Sequence, residues 1–166
     1  MSDIIISSGN IYNMVLAILG VTVLGVIISV VIGTIWYSPG TPMGRLHMRF
    51  LGFDQLSPEE QKHKIEEAKP KMPKIYGMQM LLSFLTSFAT VFIMMMSIQN
   101  GVPFSMALAF VVMNWLCFMV PVIGSNILWG TCDPAIAGKK FVSDIASNFV
   151  TVLFIAVVAG VIAHVG

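Results

Sequence analysis

Charge is the scarcest property of this sequence. Nine Lys and Arg and eight Asp and Glu make up 10% of 166 residues, while 57% are hydrophobic. Ordinary soluble domains carry about 25% charged and about 45 to 50% apolar residues, so the shortage excludes a water-soluble globule. The net charge of +1 excludes an electrostatic footprint for nucleic acid. Cysteine is as sparse. Cys117 and Cys132 belong to no CxxC and no Cys/His cluster, so neither a disulfide nor a metal site is expected, and Cys117 reads as a small apolar core residue. Also missing are a Gly-rich phosphate loop, HExxH and GxSxG. His47, His63 and His164 cannot converge: the first two fall in a polar segment, and the third at the far end of the last apolar run. No catalytic residue, cofactor or metal is expected, and a bound lipid is compatible with that reading.

What is present in abundance is long apolar sequence. Four runs stand out: Ile11 to Trp36, about Tyr76 to Ile98, Phe104 to Trp129, and Phe141 to about His164. Roughly 20 residues at about 1.5 Å rise cross the hydrocarbon core, and a helix satisfies its backbone where no water can. The expected fold is therefore all-α: a polytopic integral membrane protein with four transmembrane helices (11–36, 76–98, 104–129, 141–164), one bundle over residues 1–166. The residues before the first run lack Lys and Arg, and the run is longer than a secretory h-region, so a cleavable signal is not expected. Arg45, Arg49, Lys62, Lys64, Lys69, Lys71 and Lys74 lie between the first two runs, and Lys139 and Lys140 between the last two. The positive-inside rule places segments 37–75 and 130–140 in the cytoplasm and both termini on the other side, with the turn Gln99 to Gly101.

The polar segment 37–75 divides into two helical pieces, giving short cytoplasmic interfacial and charged helices. In "TPMGRLHMRFLG", Thr41 suits an N-cap, Pro42 the first turn and Gly52 the stop. Met43, Leu46, Phe50 and Leu51 share one face while Arg45 and Arg49 sit on another, as in a helix lying at the headgroups. In "SPEEQKHKIEEAKPKMPK", Ser57 and Glu60 form a capping box and the helix is expected to stop near Lys69, before Pro70. Glu60 with Lys64 and Glu67 with Lys71 have ion-pair spacing, and the piece reads as a solvated helix.

Between helices in lipid, small residues and hydrogen bonds mark contacts. Gly25, Ser29 and Gly33 form one such stripe, and Ser83 and Ser87 a weaker one. Pro121 should kink the third run, with Asn114 seven residues earlier on the same face. In the fourth run Asp133 and Pro134 read as a cap, and Asp144, Ser147, Asn148 and Thr151 as a polar stripe descending from the basic side. Asp144 is the one acid inside a span, four residues from Lys140. Two readings compete for it, an interfacial ion pair and a polar intramembrane site built with Asn114, Pro121 and Asn148.

"GTIWYSPGTPMGRLHMRFLGF", "LSPEE" and "NWLCFMVPVIGSNILWG", followed by a basic turn and a last span, together resemble the domain-of-unknown-function family numbered 1761, small four-helix membrane proteins. The resemblance implies an architecture and no mechanism. Its more specific elements are Trp36, Tyr37, Ser38 and Pro39, and the Phe118 to Trp129 stretch with Pro121 and Gly124. Trp36 and Tyr37 suit the aromatic belt, Pro39 a helix end, and Arg45 and Arg49 the headgroups. Tyr37 and Ser38 are further expected to bond into the bundle near the polar start of the fourth span. The leading functional expectation is a non-enzymatic protein that works by helix association, as a homo-oligomer or an accessory subunit of a larger membrane assembly. The alternative is a small-solute or ion transporter or channel. The lipid bilayer and other membrane subunits are the expected partners, and nucleic acid is not.

Overall fold

A computed structural model describes residues 8–129 and 134–165. Helices account for nearly all of it, with no strand among the described residues. Four helical rods are long and apolar enough to cross a membrane: Tyr12–Trp36, Pro58–Gln99, Phe104–Leu128 and Ile136–His164. The first belongs to α1 (Ser8–Trp36), followed by α2 (Pro42–Phe50) and α3 (Pro58–Ala68). Next come α4 (Met72–Gln99), the third rod made of α5 (Phe104–Asn114) and α6 (Val120–Leu128), and α7 (Pro134–Val165).

Local chemistry sets most of the boundaries. Thr41 caps α2 by accepting the Gly44 N–H at 2.9 Å, and Gly52 leaves it at φ 72°, a left-handed stop that glycine adopts without steric cost. Ser57 and Glu60 close a reciprocal capping box on α3. At the opposite end Gly101, at φ 78°, completes a Schellman turn, with Val102 N–H donating to Ser97 at 3.0 Å and Gly101 N–H to Ile98 at 2.9 Å.

Two expectations along the charged segment need correction. The α-helix does end at Ala68, before Pro70, but the chain stays helical: Lys69–Lys71 form one 3-10 turn that joins α3 to α4, which starts at Met72 rather than near Tyr76. Pro70 and Pro73 each fall in a first turn, where a missing N–H breaks no intrahelical bond. Nor do Glu60–Lys64 and Glu67–Lys71 pair within 4.0 Å. The ion pairs among the described residues are Arg49–Asp54 and Lys140–Asp144. The Glu60 carboxylate instead accepts the Ser57 N–H at 2.8 Å.

The core lies where α1, α4 and α7 meet, around Val91, Met94, Ile155 and Ala156, with Ala107 and Val111 of α5 closing one side. Hydrophobicity cannot drive this contact in lipid, so close approach between small residues has to. A Cβ on Gly25 would stand 2.9 Å from Ser87 Cβ, and one on Gly160 2.4 Å from the Phe104 ring. The third rod is different. Trp115–Met119 form a π-turn just before Pro121, whose ring and missing N–H cannot be accommodated in regular α-helix. The wider turn rotates α6 relative to α5. Asn114 is half-buried and Pro121 exposed, so the two do not share a face as their spacing suggested, and Cys117 is exposed rather than core.

Candidate functional site at the basic end of the bundle

The chain leaving α1 folds back on itself over residues 37–41. Tyr37 N–H still donates to Gly33 at 3.0 Å and Thr41 N–H to Ser38 at 2.9 Å, while the Thr41 hydroxyl lies 2.8 Å from the carbonyls of both Trp36 and Ser38. Helix α2 rests directly on this turn. Gly44 makes that possible, since a Cβ there would fall 1.9 Å from the Ser38 carbonyl oxygen.

The fold-back aims two aromatic side chains at the start of α7. Trp36 Nε1–H donates to Ser143 Oγ at 3.2 Å, and the Tyr37 hydroxyl donates to Asp144 Oδ1 at 2.8 Å. Lys140, one turn earlier, donates to both carboxylate oxygens of Asp144. Its ammonium also lies 5.3 Å from the ring centroids of Tyr37 and Phe50. Only 7% of its side chain is exposed, so this charge depends on the carboxylate and the two ring faces. Burial, reinforced by the Asp144 carboxylate, pushes the Tyr37 phenol well above its usual range and keeps it a donor. His47 packs against Tyr37, ring centroids 5.1 Å apart. Burial and the nearby Lys140 hold its imidazole below the ordinary value, against the pull of Asp144, and its buried Nδ1 has no hydrogen-bond partner among the described residues.

The other candidate residues fall elsewhere. Gly25 and Ser87 meet in the core, and Ser29 Oγ turns back to the Gly25 carbonyl at 2.9 Å. Ser83 is half-buried. A Cβ on Gly33 would meet nothing within 4 Å among the described residues, so in these the small-residue stripe serves packing inside the chain at its Gly25 end. Asn148 accepts the Trp115 indole N–H at 2.8 Å. Asn114 lines a separate recess of about 250 Å³ with Thr86, Thr90 and Trp115. Among the described residues, the recess lined by Asn114 does not include Pro121, Asp144 or Asn148. Arg45 and Arg49 are exposed on α2. Pro39 is exposed in the turn, and among the described residues the Ser38 hydroxyl makes no hydrogen bond, its carbonyl being the part used. The expected cap at Asp133, and Cys132, lie outside the described residues.

Sequence spacing did not disclose Lys140 beneath two aromatic rings, or the parts of Ser143 and His47. Gly44 carried a signal, because a glycine inside a short helix costs about 1 kcal/mol and calls for a packing reason.

Tyr37→Phe removes one hydrogen bond to a carboxylate and is expected to lower stability by about 1.5 kcal/mol. Ser38→Ala, whose hydroxyl is unbonded, is expected to change little. Thermal melts of both variants in detergent test the pair; equal, unchanged melting would reduce the aromatic motif to an anchor.

A four-rod, all-α bundle whose helix ends are tied by aromatic and ionic contacts defines a multi-pass α-helical membrane protein. Residues 21–160 match the family described as protein of unknown function (DUF1761), and the chain belongs to that family. Neither a curated protein nor a solved structure matches it.

Proposed function

We propose that this protein acts by association with other membrane helices, as a homo-oligomer or an accessory subunit, and not through catalysis. The observation behind the proposal is the third rod. Its most apolar stretch has 11% of its residues buried, against 22, 28 and 33% in the other three, and Leu116, Cys117 and Phe118 all point outward. Exposed apolar side chains alone would be content in lipid. The backbone there is also irregular: Pro121 offers no N–H to the preceding turn and Trp115–Met119 widen to a π-turn, an arrangement that a neighbouring helix can help to satisfy. With the basic end in the cytoplasm, as the positive-inside rule directs, both termini lie on the opposite side.

The test uses Cys117. In a Cys132→Ser background, oxidation in native membranes is expected to give a disulfide-linked species, and native-detergent mass measurement a species heavier than the monomer. Pro121→Ala, which returns the missing donor, is expected to weaken the association. Monomer alone in both measurements, with no co-purifying membrane protein, overturns the reading.

Transport gains no comparable support, because Asp144 is engaged by Lys140 and Tyr37.

A further inference from the structure

A groove of about 740 Å³ opens at the basic end between the end of α1, α2 and the first turns of α7. Its size falls within the roughly 300–1,000 Å³ of ordinary ligand clefts. Trp36, Leu46 and Val142 contribute apolar lining, and Arg45, Arg49 and Lys139 add three cations. Among the described residues, little opposes that charge. Asp144 is engaged by Lys140, and Asp54 lies 4.0 Å from Arg49 with both side chains well exposed to screening. The Arg45 Nη1 donates to the Gly40 carbonyl at 3.3 Å, which holds the α2 cation beside the turn.

We propose that this groove binds an anionic glycerophospholipid of the surrounding bilayer, its phosphate between Arg45, Arg49 and Lys139 and its first methylenes against Trp36, Leu46 and Val142. Charge complementarity selects an anion. The apolar lining selects a lipid over free phosphate, which would leave that surface uncovered. The location agrees with both, because the groove lies where α1 ends and where α7 enters its apolar stretch, the depth at which headgroups meet acyl chains. Guanidinium groups suit phosphate through paired donors, and cations near a membrane surface each contribute enough for severalfold selectivity. The site does not depend on what the third rod meets.

The test is native mass spectrometry of the full chain in neutral detergent with equal amounts of phosphatidylglycerol and phosphatidylcholine of the same acyl composition. The chain is expected to retain the anionic lipid about tenfold over the zwitterionic one. Arg45→Gln with Arg49→Gln is expected to bring the ratio close to one with the helical circular dichroism unchanged. Lys139→Gln, on an exposed side chain, gives a smaller loss and serves if the double variant does not fold. Millimolar inorganic phosphate, or an acidic peptide, should leave the bound lipid in place. Equal retention of the two lipids by the wild-type chain, an unchanged ratio in a folded variant, or displacement by phosphate or peptide each overturns the proposal.

Discussion

Asp144→Ala should be among the most damaging single substitutions in this protein, lowering stability by about 3 kcal/mol or more. Removing one partner of a buried ion pair leaves the other charge without compensation, and that penalty, more than the lost attraction, dominates. Here the stranded group is the Lys140 ammonium, whose side chain is 7% exposed. The two ring faces at 5.3 Å contribute about 1 kcal/mol each at best and cannot replace a carboxylate. Tyr37 loses its acceptor in the same step. The cause can be separated from mere loss of contact by adding Lys140→Met, because removing both charges and keeping the volume is often close to neutral. Thermal unfolding in detergent should place the double variant well above Asp144→Ala. If the single variant melts with the wild type, the charge is not buried as described and the cluster is only a surface contact.

Gly44→Ala should rank beside it, at about 2–3 kcal/mol, through overpacking. The new Cβ would stand 1.9 Å from the Ser38 carbonyl oxygen and 2.9 Å from that of Tyr37. Both are backbone atoms in a turn held by Thr41, so no side chain can rotate away. Relief requires α2 to lift off the turn. That motion would draw Phe50 away from Lys140 and His47 away from Tyr37. Gly33→Ala and Gly20→Ala are the controls, with nothing within 4 Å of a built Cβ. Alanine is otherwise the better helix former by about 1 kcal/mol, so these two should melt no lower than the wild type. Equal melting of Gly44→Ala and Gly33→Ala would mean that α2 is free to leave the turn.

Much of the architecture was legible from local patterns. The four rods arise from runs of apolar residues long enough to cross a bilayer. The ends of α2 and α3 are set by Thr41 with Pro42, Gly52, and Ser57 with Pro58 and Glu60. The same reasoning placed the end of α3 before Pro70 but missed that a proline can follow the end of one helix and begin the next through a single 3-10 turn. It misplaced Asn114 against Pro121, because the intervening π-turn changes the angular spacing that a regular helix would impose.

The sequence by itself determined the helix count, the caps, the collection of basic residues at one end and the four-residue spacing of Lys140 and Asp144, since each depends on groups within a few turns of one another. Only the tertiary structure decided which faces meet. It placed Gly25 against Ser87 while leaving Gly33 open, joined Asn148 to Trp115, and brought Tyr37 to Asp144 across 107 residues of chain. The physical reason is that local periodicity specifies which residues share a face of one helix. How each helix is rotated against its neighbours depends on close approach between distant small residues and on the fold-back after α1, and neither has a period along the chain.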